Sequence, residues 1–125
     1  MEKKIYTIAN LPKAGPYSHV VEAGGFLYLS GMLPVDPAQE LMIKDDIRTA
    51  TALVLGNIKK ALEACGSNLD KVIKVTVFLR DMAYFPEMNA VYKTFFPENP
   101  PARSCVAVAA VPGDFPLEIE AIAVT

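Results

Sequence analysis

The chain has 125 residues, 52% of them hydrophobic and 21% charged, with a formal net charge of -2. That size fits one domain over residues 1–125. No apolar run approaches the roughly 20 residues of a membrane span, the start Met1-Glu2-Lys3-Lys4-Ile5 lacks the apolar stretch of a secretory signal, and no dense Lys/Arg run marks a general nucleic-acid binder; a soluble, cytoplasmic protein is expected, with no nucleic-acid and no membrane partner.

Lys4 to Ile8 alternates as a short strand does, and Asn10-Leu11-Pro12-Lys13-Ala14-Gly15-Pro16 then breaks regular structure with two prolines and a glycine. Val20 to Ala23 and Phe26 to Ser30 are β-prone runs joined by Gly24-Gly25, a two-residue turn suited to a hairpin. Gly31-Met32-Leu33-Pro34-Val35-Asp36-Pro37 ends the second of them. Asp45 or Asp46 can cap a helix whose apolar positions Ile47, Ala50, Val54, Ile58, Ala61, Leu62 and Cys65 recur at three- and four-residue spacing until Gly66.

Val72 to Leu79 reads as a strand with Ile73, Val75, Val77 and Leu79 on one face and Lys74, Thr76 and Phe78 on the other. A second helix from about Tyr84 to Phe95 carries Phe85, Met88, Tyr92 and Phe95 at helical spacing, a core stripe, and Pro97 ends it. Strands from about Arg103 to Val108 and Leu117 to Val124 close the chain. The order β-β-β-α-β-α-β-β defines an α+β protein with about six strands and two helices. Two helices cover one sheet face; the other, carrying Tyr28 and Phe78, is more apolar than a small monomer leaves in water, so further copies of the chain are expected on it.

Charge inside the last two strands needs a reason. Side chains two apart share a strand face, so Arg103 lies with Cys105, and Glu118 with Glu120. Two readings stay open: Arg103 and Glu118 neutralise each other in a half-buried ion pair, or the planar guanidinium grips a small carboxylate while the glutamate activates water. The two cysteines, Cys65 and Cys105, have no CxxC spacing and read as reduced thiols, with neither disulfide nor metal site.

Ala14-Gly15-Pro16-Tyr17-Ser18, Leu29-Ser30-Gly31, Asn57-Ile58, Ala64-Cys65-Gly66, Val75-Thr76-Val77-Phe78-Leu79, Met88-Asn89 and Pro101-Ala102-Arg103-Ser104 with Leu117-Glu118-Ile119 together resemble the reactive intermediate deaminase A (RidA/YjgF) family along nearly the whole chain. The resemblance implies a chorismate-mutase-like fold, a homotrimer around a central barrel, and three sites in clefts between subunits. It also implies hydrolysis of 2-imino acids and their enamine tautomers (2-aminoacrylate, 2-iminopropanoate, 2-iminobutanoate) to 2-keto acids and ammonia, without metal or organic cofactor. Such substrates are released by pyridoxal-phosphate enzymes, a functional link rather than a required contact.

In that family pattern Arg103 clamps the carboxylate beside a backbone contact at Cys105, and Glu118 positions water and moves protons, best with a pKa raised by burial. Tyr17, Ser30 and Gly31 line the cleft, and Asn89 is the remaining candidate. Plainer readings exist for each: Tyr17 an anchored loop aromatic, Ser30 a turn residue with no nearby base, Cys105 a small packer, Asn89 a surface residue, Glu120 the partner of a lysine or of a subunit contact.

His19, the only histidine, stands where relatives often carry glutamine, and Met32 replaces another; both bear on substrate range. His19 is read as a solvent-facing strand residue, with a place at the cleft entrance as the alternative. Competing functions are a non-catalytic carboxylate-binding or chaperone-like trimer and, against the low basicity and the absence of a histidine pair, an endoribonuclease.

Overall fold

The computed structural model describes residues 2–125. Six strands form one mixed sheet: β1 (Lys4–Tyr6), β2 (Val20–Ala23), β3 (Phe26–Met32), β6 (Val72–Leu79), β7 (Ala102–Ala107) and β8 (Leu117–Val124), in the spatial order β1-β2-β3-β8-β6-β7. All pairings are antiparallel except β6 with β7. Two helices, α1 (Ile47–Ala64) and α2 (Phe85–Phe95), pack together on one face. The expected α+β order is therefore present. What the strand reading omitted is a separate two-residue hairpin, β4 (Val35–Asp36) with β5 (Leu41–Met42), too short to leave a periodic signal.

Local chemistry explains most boundaries. Gly24 and Gly25 both adopt positive φ (60° and 84°), the type I′ geometry that joins β2 to β3 without splaying them. Asp46, rather than Asp45, caps α1, its Oδ1 accepting from the Arg48 and Thr49 amides at 3.1 and 3.2 Å. At the far end Gly66 turns left-handed (φ 78°), and the Gly66 and Ser67 amides return to the Glu63 and Leu62 carbonyls, so a Schellman motif closes the helix.

Leu27 and Leu29 of β3, Val75, Val77 and Leu79 of β6 and Leu117, Ile119, Ala121 and Ala123 of β8 face the helices, where Val54, Leu55, Ile58, Leu62 and Met88 complete the core. Ile73 corrects the expected pattern: it is 43% exposed while Val72 is buried. The β6–β8 register shifts between Val72 and Lys74, and this irregularity inserts a residue that breaks the two-residue period. The opposite sheet face carries Phe26, Tyr28 and Val106, all exposed, with Phe78, Ile122, Glu118 and Glu120 among them.

Candidate active site

The register of β6 decides how the charged strand residues relate. Arg103 pairs with Val75 and Cys105 with Val77, so both project to the helix face. Glu118 pairs with Phe78 and Glu120 with Thr76, so both project to the opposite face. The expected alternative of an Arg103–Glu118 ion pair is thereby overturned: β6 lies between their strands, and the two side chains leave the sheet in opposite directions.

Glu118 belongs to a cavity of about 430 Å³ whose lining includes Ala14, Tyr17, Ser30, Gly31 and Leu33. The β3–β8 register shifts between Leu29 and Met32, and this bulge places Ser30 and Gly31 at the cavity wall. Ser30 is fixed twice, its hydroxyl donating to the Ser18 carbonyl at 2.6 Å and its amide to the His19 carbonyl at 3.0 Å. Gly31 is needed because a Cβ there would sit 2.7 Å from the Glu118 carboxyl carbon. Tyr17 folds back on its own loop, its hydroxyl accepting from the Ala14 amide at 3.3 Å.

The Glu118 carboxyl is half-buried, and burial first, then the like charge of Glu120, raises its pKa above the ordinary carboxylate range. Among the described residues no cation lies in salt-bridge contact with it; the ion pairs there are Arg48–Glu87 and Arg80–Asp114. Such a group can accept a proton near neutrality more readily than a solvated carboxylate can.

Arg103 sits in a second cavity, about 390 Å³, with Asn89, Tyr92, Lys93, Pro100 and Pro101. Its Nη1 donates to the Asn89 Oδ1 at 2.7 Å, and its Cζ lies 4.6 Å from the Tyr92 ring centroid and 5.6 Å from that of Phe85. A neutral amide and two aromatic faces orient the guanidinium without cancelling its charge. Burial raises the pKa of the neighbouring Cys105 thiol although Arg103 opposes it, so that thiol is a packing group rather than a thiolate nucleophile.

Of the expected site residues, Tyr17, Ser30, Gly31 and Glu118 therefore meet in one cavity, while Arg103, Asn89 and Cys105 lie on the other side of the sheet. Phe85 and Tyr92, read from sequence as plain core, also support the arginine. The signal was present: residues 85, 89 and 92 share a helical face. The Tyr92 hydroxyl is buried with no hydrogen-bond partner, beside that arginine.

His19 corrects its expected place. It is only 2% exposed, and neither a solvent-facing residue nor one of the cavity lining. Asn57, also buried, was noticed only as part of a pattern; its Nδ2 donates to the Leu33 and Val35 carbonyls at 3.2 and 2.9 Å and so anchors the segment that delivers Leu33 to the cavity. Among the described residues no three His, Cys, Asp or Glu side chains gather as metal ligands would, and no helix is long and apolar enough to cross a membrane.

This α+β sheet with two helices on one face recurs in known proteins of similar sequence. A family model described as "Endoribonuclease L-PSP" matches residues 7–125. A RutC family protein of Pyrococcus horikoshii is 49% identical over 124 residues, covering 98% of both chains. A Salmonella typhimurium protein named 2-iminobutanoate/2-iminopropanoate deaminase is 42% identical over 128 residues, 99% of this chain and 98% of that one. The crystal structure of E. coli TdcF with bound serine superposes with a TM-score of 0.91 at 40% identity, covering 98% of each chain. The chain belongs to the endoribonuclease L-PSP family, also called YjgF/RidA.

Proposed function

We propose that the protein hydrolyses 2-imino acids and their enamine tautomers to 2-keto acids and ammonia, in sites formed where the Glu118 cavity of one chain faces the Arg103 cavity of a neighbour. The observation that carries this reading is that, among the described residues, neither Arg103 nor Glu118 has an ion-pair partner. What sets these two opposite charges apart from unpaired surface charges is that each is part-buried in a cavity; a ligand that meets both fits them, and the sheet prevents one chain from supplying both to the same molecule. A trimer whose apolar sheet faces pack inward brings the two half-sites together and covers Phe26, Tyr28 and Val106.

Arg103 takes the substrate carboxylate through two parallel N–H donors, with Asn89, Phe85 and Tyr92 holding its plane and the Cys105 backbone beside it. The protonated imine carbon is already electrophilic, so positioning supplies most of the catalysis. Glu118 accepts a proton as water adds to that carbon, giving a carbinolamine. Glu118 returns that proton to nitrogen; the C–N bond then breaks as the hydroxyl gives its own proton to Glu118, its oxygen becomes the keto group, and the departing ammonia takes that proton away as ammonium. Tyr17, Ser30 and Gly31 bound the space for water and the leaving amine.

The similarity to a relative named as a deaminase supports the reading, as does the serine, a small amino acid, bound in the TdcF structure. RNA cleavage fits less well: the chain is acidic, its single histidine has both ring nitrogens on the backbone, and the cavity acid Glu118 has Glu120 beside it. The direct test generates 2-iminopropanoate or 2-iminobutanoate in situ with an amino-acid oxidase or threonine dehydratase and follows imine decay. Acceleration by the wild type, lost in both Arg103→Ala and Glu118→Gln, is expected. No acceleration by folded protein across several side chains would reject the reading and leave carboxylate binding as the function to test.

A further inference from the structure

The buried imidazole of His19 has a geometry that a simple core residue does not need. Its Nδ1 lies 2.8 Å from the Ile8 amide nitrogen, and its Nε2 lies 3.2 Å from the Pro12 carbonyl oxygen. A backbone N–H can only donate, so Nδ1 is the acceptor, Nε2 carries the proton and donates to Pro12, and the ring is one defined neutral tautomer. The side chain thus spans the start and middle of the segment that runs from Ile8 to Tyr17.

That segment delivers Ala14 and Tyr17 to the Glu118 cavity. Its other ties include the packing of the Ile8 and Leu11 side chains on the core and an exposed contact from Lys60 Nζ to the Asn10 carbonyl at 3.3 Å. The backbone of His19 holds another part of the lining: its carbonyl accepts the Ser30 amide at 3.0 Å, next to the Ser18 carbonyl that accepts the Ser30 hydroxyl. One residue therefore joins the Tyr17 loop, through its ring, to the Ser30 bulge, through its main chain.

We infer that His19 is a positioning residue for the reaction, acting through Tyr17 and Ser30 by clasping the Ile8–Pro12 segment to the stretch just ahead of β2 that docks Ser30. The assignment rests on the deaminase reading for its kinetic consequence, but the clasp itself can be tested without turnover. Glutamine offers one acceptor and one donor on a planar amide and can replace both ring contacts; leucine fills the space and replaces neither.

The experiment compares wild type, His19→Leu and His19→Gln in three measurements. Amide exchange at Ile8 reports the clasp. The ¹⁹F resonance of Tyr17 in protein labelled with 3-fluorotyrosine, assigned with Tyr17→Phe, reports the loop. Imine turnover reports the consequence. In His19→Leu, exchange at Ile8 is expected to rise by about tenfold or more, the Tyr17 resonance to move or broaden, and kcat to fall about ten- to a hundredfold.

KM is expected to change little, because Arg103 is untouched, and His19→Gln is expected to restore all three. Should His19→Leu fail to fold, His19→Asn keeps an acceptor for Ile8 but drops the donor to Pro12, and the Tyr17 resonance and kcat are expected to change in the same direction. An unmoved Tyr17 resonance, or full kcat in the folded non-bonding variant, overturns the assignment. If the wild type turns over no imine, the deaminase reading fails, while exchange and fluorine spectra still decide the role of His19.

Discussion

A methyl group on Gly31 would displace the Glu118 side chain from its place in the cavity. Gly31→Ala places a Cβ against the carboxylate, so the chain is expected to fold while imine turnover drops about a hundredfold or more, measured against unchanged circular dichroism. The raised pKa of Glu118 has two consequences with opposite signs. As a base Glu118 must be ionised, so the acid limb of the rate profile lies above that of a solvated carboxylate, and Glu120→Gln, which removes the like charge, shifts that limb to lower pH. For stability, a raised folded-state pKa means that the contribution of Glu118 is complete below its unfolded pKa and lost as pH rises through the folded one. Glu118→Gln should therefore melt higher than wild type near neutral pH, with the gain disappearing in acid, although it abolishes turnover. Arg103→Lys keeps the charge but loses the two-pronged geometry; KM should rise with a loss on the order of 2 kcal/mol, less than for Arg103→Ala.

Capping and wall-building belong to longer stretches of chain. The Asp46 carboxyl is held below its usual pKa, first by the Thr49 hydroxyl, then by the Thr49 amide. A depressed folded-state pKa contributes stability above the unfolded pKa that is lost as pH falls through the folded one, so Asp46→Ala should lower Tm at neutral pH and match wild type in strong acid. Asn57→Ala strands the Leu33 and Val35 carbonyls and should cost about 1–3 kcal/mol in chemical denaturation. The helices were legible because α1 repeats its apolar residues over eighteen positions between an acidic cap and a glycine. Ile73 was not, since the register shift that exposes it is set by pairing with β8, and pairing has no signature within β6 itself. The α2 stripe was legible as apolar but not as the cradle of Arg103, because a distant strand supplies the cation.

Arg103 and Glu118 lie on opposite faces of one sheet, so the proposed reaction requires a site built from one face of each of two chains. Co-expression of Arg103→Ala with Glu118→Gln should therefore restore activity that neither variant has alone, up to about a quarter of wild type if trimers assemble at random. Light scattering should give three times the mass of one chain, and Tyr28→Glu, on the exposed apolar face, should lower both the mass and the turnover while leaving the folded chain soluble. Restored activity at monomeric mass would contradict the shared site.

Residue order alone was enough to read the α+β class, the N-cap of α1 to within one residue and its glycine end, the Gly24-Gly25 turn and the identity of Arg103 and Glu118 as the charged residues most in need of explanation. Each of these depends on chemistry within a few positions: side-chain alternation, helical spacing, a carboxylate beside free amides, a glycine where φ is positive. The separation of Arg103 from Glu118, the close approach of Gly31 to a carboxylate and the clasp of His19 on Ile8 and Pro12 appeared only with the folded chain. They arise from which strand lies between two others and how far its register has slipped, quantities fixed by packing between segments remote in sequence.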